Sequence, residues 1–187
     1  MLIYQQIKST EDVLFNKAFT LYLTTFSANE RRSKEKFIEI LENENKFDLY
    51  ALINDEEFAG FITVWTFEYF IYVEHFTIEM GLRGKNIGSN TIKILLKKAS
   101  LPVILEVATP SNLQAVNRIN FYERFGFYVV PRPYAQPPYN PNDKLHPMVI
   151  MSNDYYFADK HFKMVRDTLY REVYHYYTSL SDFQLPG

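Results

Sequence analysis

The chain has 187 residues, a formal net charge of −2 at pH 7, 47% apolar and 22% charged residues, the profile of one folded domain with or without a terminal extension. That charge gives no general attraction to nucleic-acid phosphates, no apolar stretch nears the ~20 residues of a membrane span, and the lack of cysteine excludes disulfides, thiolate metal sites and a cysteine nucleophile. The N-terminus MLIYQQIKSTED lacks the basic-then-apolar layout of a secretory leader, so a cytoplasmic protein with no nucleic-acid or membrane partner is expected, with order lacking only in the last few residues.

In chain order, residues 2–7 alternate as a short strand, and Ser9, Thr10, Glu11 and Asp12 supply a helix start. The helix runs to about Phe26, with Val13, Leu14, Ala18, Leu21 and Tyr22 forming one buried face. A polar break over 27–32 leads to a second helix, 33–42, with Phe37, Ile38 and Leu41 inward. The adjacent pairs Arg31, Arg32 and Lys97, Lys98 read as solvated helix faces. Three β runs follow, 47–53, 58–67 and 69–79, with a turn at Asn54, Asp55 and Glu56 and a bulge or close approach at Gly60. They predict an antiparallel meander.

The chain then passes through a glycine-containing turn, 81–88, into a helix from about Ser89 to Ala99 and a buried strand, 101–107. Residues 112–125 form a helix stopped by Gly126, and 127–130 a strand. Residues 131–147 hold six prolines and read as a long loop, 148–152 as a last strand. A final helix from Asp154 to about Tyr177 carries an apolar stripe of Phe162, Val165, Leu169, Val173 and Tyr176. That stripe packs on the chain's own sheet or, alternatively, forms a homodimer interface.

Three of the six glycines lie between Gly81 and Gly88. A strand that enters such a turn and then a helix N-terminus offers converging amides to a phosphate, and Arg83 and Lys85 add charge. The spacing matches neither a Walker loop nor a G-x-G-x-x-G fingerprint, which removes nucleotide hydrolysis and nicotinamide chemistry. The bland alternative is a capped strand-to-helix turn. The four histidines have no metal-ligand spacing, so no metal is expected.

The run Arg83, Gly84, Lys85, Asn86, Ile87, Gly88, Ser89 resembles the R/Q-x-x-G-x-G/A signature of the GNAT superfamily of acyl-CoA N-acyltransferases, with Arg83 at its first position and Gly88 at its last. Asn86 replaces the central glycine; asparagine is the non-glycine residue that best tolerates a left-handed backbone. The run 118–127, with Tyr122 ahead of Gly126 and Phe127, resembles the helix-to-strand element of the same superfamily. The order of elements agrees more loosely from Ile3 to Ser152. The resemblance implies an α+β fold with a central, mostly antiparallel mixed sheet of about seven strands flanked by helices. It makes residues 1–152 the acyltransferase domain and 153–187 an extra helical extension packed on it.

The resemblance implies N-acetylation of a primary amine of a small molecule, peptide or protein by direct attack on the acetyl-CoA thioester. A non-catalytic acyl-CoA sensor or assembly module is the alternative. It further implies that Arg83, Gly84, Lys85, Asn86, Ile87, Gly88 and Ser89 hold the pyrophosphate, that Phe76, Thr77 and Ile78 dock the pantetheine as an added strand, and that an asparagine contacts it: the matching slot holds Ala115, with Asn117, the residue carried over, and Asn112 nearby. Glu74 is the expected base, with His75 or water as rivals, since a bulge in the strand would change which residue faces the acceptor. Tyr122 matches the family's acid for the leaving thiolate. Tyr134, Gln136, Tyr139 and Lys144, on the proline-rich loop, are candidate acceptor walls or parts of a rigid connection.

Overall fold

The computed structural model describes residues 1–140 and 143–176. The chain forms two compact units, divided between Leu101 and Pro102. In the first, the order is β1 (Leu2–Ile7), α1 (Val13–Thr25), a 3-10 turn (Ala28–Glu30), α2 (Lys34–Asn43), β2 (Phe47–Asn54), β3 (Glu57–Thr66), β4 (Ile71–Ile78), a second 3-10 turn (Met80–Leu82) and α3 (Ile87–Lys98). Strands β1 to β4 pair in sequence order, all antiparallel, as the predicted meander.

Local chemistry sets these boundaries. The Asp12 carboxylate accepts the Leu14 amide at 2.8 Å and so starts α1, and Ser33 accepts the Lys36 amide at 3.3 Å to start α2. Asp55 and Glu56 have φ of 50° and 68°, the left-handed pair a two-residue hairpin needs. Gly60 sits where a Cβ would lie 2.2 Å from the Thr77 carbonyl oxygen, so β3 and β4 approach too closely there for any side chain. One expectation fails on α1: Val13 is 80% exposed, and Phe15 and Phe19 fill the core with Leu14, Ala18, Leu21 and Tyr22. Starting the helix at Val13 leaves that residue on the outer side of the first turn.

The second unit contains β5 (Val103–Ala108), α4 (Leu113–Glu123), β6 (Tyr128–Val129), β7 (Tyr134–Gln136), β8 (His146–Ser152), α5 (Tyr155–Lys160), α6 (Phe162–Thr168) and a π-helical turn (Leu169–Val173). Strand β8 is its hub, antiparallel to β5 on one edge and to β6 and then β7 on the other. The proline-rich segment is therefore not loop throughout: β7 lies inside it, raising the described strands to eight. The prolines flank β7 rather than interrupt it.

The single long terminal helix is also corrected. It is two short helices broken at His161 and then a wide turn, in which each added residue slips the helical phase. Val165, Leu169 and Val173 of the expected stripe are buried, but so are Tyr170 and Tyr174, which a regular helix would have turned outward. Tyr177 and the chain end expected to lack order lie outside the described residues. Among the described residues, no helix is long and apolar enough to cross a membrane.

Candidate active site

The meander carries its irregularity at Glu74. Thr63 pairs with His75 and Val64 with Val73, so Glu74 is the extra residue of a β-bulge in β4. Its side chain is fully buried, and its carboxylate is ion-paired with the equally enclosed guanidinium of Arg32. The second carboxylate oxygen accepts the Trp65 indole N–H at 2.8 Å. Burial pushes the Glu74 carboxyl up, but the Arg32 charge and the Trp65 N–H outweigh it and hold the group below the ordinary carboxylate value.

Arg32 is held from every side. Its backbone N–H donates to the Tyr22 hydroxyl at 2.8 Å and its guanidinium lies 5.8 Å from the Trp65 ring centre. The sequence reading of Arg31 and Arg32 as a solvated pair is thus overturned. They lie on the turn after Ala28–Glu30, where the Arg31 side chain bonds the Phe26 carbonyl and Arg32 points inward. His75 Nε2 is 3.0 Å from the Glu30 carbonyl oxygen, and since a carbonyl only accepts, that nitrogen carries the hydrogen. Burial lowers the imidazole's pKa despite Glu74, which keeps it neutral.

At the far end of β4, Phe76 is half-buried and Thr77 and Ile78 are buried. Arg83 turns back onto this end: its Nε donates to the Ile78 carbonyl at 3.1 Å and one terminal nitrogen lies 3.5 Å from the Thr77 hydroxyl. Gly84 has φ of 79°, and Asn86 has φ of 61° and ψ of 6°, the left-handed conformation for which asparagine was expected. Helix α3 starts at once at Ile87, two residues before the expected start, because Asn86 itself is the cap residue. Helix geometry gives the amides of Ile87, Gly88 and Ser89 no acceptor within α3. Gly84, Lys85 and Asn86 are exposed beside them. This donor set fits a pyrophosphate.

Tyr122 lies on α4 and is 8% exposed, packed against Phe121 and Phe127 at ring separations of 5.1 and 5.7 Å. Burial pushes its phenol up to about 12, with Arg118 opposing, so it remains protonated at neutral pH. Asn117 lines an outer depression with Asn120, Phe121, Glu123 and Arg124. Five residues apart on one helix, Tyr122 and Asn117 face different sides. The side chain of Asn112 is committed elsewhere: it caps α4 by accepting the Ala115 amide at 2.9 Å.

Tyr134, Gln136 and Tyr139 lead inward to a carboxylate that sequence reasoning missed, Glu106 on β5, whereas Lys144 is exposed. Arg32, Trp65 and Glu106 escaped notice for one reason. Their partners lie 42, 9 and 28 or more residues away, and no local pattern marks such pairs. Among the described residues no group of three or more His, Asp or Glu is placed to hold a metal.

Residues 13–127 match the model of the Acetyltransferase (GNAT) family. A solved structure from Bacteroides thetaiotaomicron, assigned to the GNAT acetyltransferases, is 35% identical, with 92% of this chain and 98% of that one aligned at a TM-score of 0.87. A GNAT acetyltransferase from Elizabethkingia anophelis with acetyl-CoA bound is 13% identical (81% and 96% covered, TM-score 0.54). Arabidopsis thaliana NAA60 in complex with acetyl-CoA is 16% identical (81% and 97% covered, TM-score 0.59). No curated protein sequence matches. The chain belongs to the GNAT acetyltransferase family: it has that family's mixed α+β fold and is an acyl-CoA-dependent N-acyltransferase.

Proposed function

We propose that this protein transfers the acetyl group of acetyl-CoA to a primary amine by direct attack of the amine nitrogen on the thioester carbon. The observation that carries the reading is the turn at 83–89, where a left-handed Asn86 opens directly into the first amides of α3. That backbone gives the converging donors of a pyrophosphate site without the glycine of the family signature. Arg83, Gly84, Lys85, Asn86, Ile87, Gly88 and Ser89 hold the anion. Phe76, Thr77 and Ile78 offer a strand edge to the pantetheine arm; Asn117, in the outer depression on the other side of α4 from Tyr122, is left out of this reading.

The acetyl thioester supplies an activated carbonyl. An ordinary amine, with a pKa of ~10.4, must lose a proton before it can attack. We assign that proton to water rather than to Glu74: a carboxylate engaged by Arg32 and Trp65, and lowered in pKa by them, is a weak acceptor. His75 is neutral with its hydrogen on Nε2, and Nδ1, the nitrogen that would have to accept, is buried in a ring packed against Tyr22 and Phe26. Glu74 instead fixes the bulge of β4. Tyr122 donates its phenolic proton to the sulfur as the C–S bond breaks, a role supported by its match to the family's acid.

Calorimetric titration with acetyl-CoA, run beside an Arg83→Ala, Lys85→Ala double variant, tests the donor site. Micromolar binding that weakens about tenfold or more in the variant is expected, together with thiol release that depends on added amine. Equal affinity in both proteins would remove the turn from the site, and amine-independent thiol release would remove the transfer reaction.

A further inference from the structure

Strand β4 ends on a carbonyl that a side chain of the same unit already engages. The Glu79 amide donates to the Ala59 carbonyl at 2.9 Å, which makes 59 and 79 a hydrogen-bonded pair across β3 and β4, and Gly60 stands opposite Ile78. Bonded and unbonded pairs alternate along an antiparallel ladder, so the Ile78 N–H and C=O point away from β3. The same alternation turns the backbone groups of Phe76 outward and those of Thr77 toward β3. Phe76 and Ile78 therefore carry the polar groups that an added strand would use. At Ile78 the carbonyl accepts the Arg83 Nε–H at 3.1 Å, and a terminal nitrogen of that guanidinium lies 3.5 Å from the Thr77 hydroxyl.

A strand added to an edge runs about 4.7–4.9 Å from it. A guanidinium nitrogen 3.1 Å from the last outward carbonyl stands inside that gap, so the carbonyl's second lone pair does not open the place to an added chain. Arg83 is exposed on the turn that leads into α3, beside Gly84 and Lys85 and four residues before the first helical amide at Ile87. A guanidinium bonds a phosphate oxygen more strongly than a neutral carbonyl, because both partners are then charged. The end of β4 and an anion at the α3 amides thus compete for one cation, and the anion is the stronger competitor.

We infer that Arg83 makes the protein select thioesters that carry the CoA pyrophosphate over thioesters that end at pantetheine. The pyrophosphate draws the guanidinium off the Ile78 carbonyl, and the strand edge then opens to the pantetheine arm. The inference rests on the pyrophosphate reading of residues 83–89 above and goes beyond it: a residue that only bound phosphate would leave a phosphate-free thioester unaffected.

The test compares the full chain with Arg83→Ala. Dissociation constants are measured by calorimetry for acetyl-CoA and by ligand-observed NMR for S-acetylpantetheine, which has the same thioester and no phosphate. In the variant, acetyl-CoA binding is expected to weaken about tenfold and S-acetylpantetheine binding to tighten about threefold or more. Sodium pyrophosphate added to the parent should tighten S-acetylpantetheine binding by a similar factor, and should leave the variant unchanged. Unchanged, weaker or undetectable S-acetylpantetheine binding in the variant overturns the proposal, as does a parent whose S-acetylpantetheine affinity ignores pyrophosphate. A gain for S-acetylpantetheine with acetyl-CoA binding intact also overturns it, since the cation would then never reach the phosphate. The pyrophosphate measurement needs only the parent, so it decides the matter even if Arg83→Ala does not fold. A parent that binds no acetyl-CoA removes the pyrophosphate reading and this one together. Arg83-dependent acetyl-CoA binding with no gain for S-acetylpantetheine removes this one alone.

Discussion

Glu74 shows why a residue's chemistry depends on its neighbours more than on its type. Its carboxyl is below the ordinary value, so the folded state gains from it above about 4.5 and loses that gain as pH falls through the folded value. Acid should therefore weaken the first unit from that point downward. Glu74→Gln should cost about 3–5 kcal/mol in urea unfolding at neutral pH, because it strands the buried Arg32 charge. The folded fraction should keep the parent's pH profile of turnover, and a profile displaced to higher pH would restore Glu74 as the base. None of this was legible from residues 70–79 alone, since the partner lies on another turn. Asn86 was legible, because few residue types accept a left-handed backbone and the turn needed one.

At the scale of elements, the meander and the β-turn-α unit were readable because alternation, caps and turn residues are local signals. The misread elements are those fixed by contacts distant in sequence. β7 is three residues long and exists only because β8 offers it an edge, and the wide turn of 169–173 is invisible to a 3.6-residue period. The bulge in β4 was foreseen as a condition, not a position, since its register depends on Thr63 and Val64 across the pair. Gly60 belongs to this scale too. Gly60→Ala should cost about 1–3 kcal/mol in denaturant unfolding, because a Cβ there meets backbone that cannot yield locally. Unchanged stability would mean that β3 and β4 can part without loss.

Over the whole molecule, the sequence holds fifteen tyrosines, and several are phenols held above their ordinary pKa by burial, including Tyr4, Tyr22, Tyr122, Tyr134 and Tyr170. A phenol raised in the folded state contributes stability that is complete below the unfolded value of about 10 and is lost as pH rises through the folded one. For Tyr122, raised to about 12, the loss is about 1.4 kcal/mol per pH unit over that window. Denaturation midpoints should therefore fall steeply between pH 10 and 12. A flat response would show that these hydroxyls ionise without unfolding. Composition announced the aromatic excess; which phenols are enclosed depended on the fold.

Trp65 is the chain's single tryptophan, and its indole N–H is bonded to the carboxylate that Arg32 neutralises. The protein thus carries its own optical gauge: emission excited at the indole comes from one known place. A red shift on acidification would time the rupture of the Glu74 pair directly, and a shift on adding acetyl-CoA would show that the bulge of β4 senses the ligand.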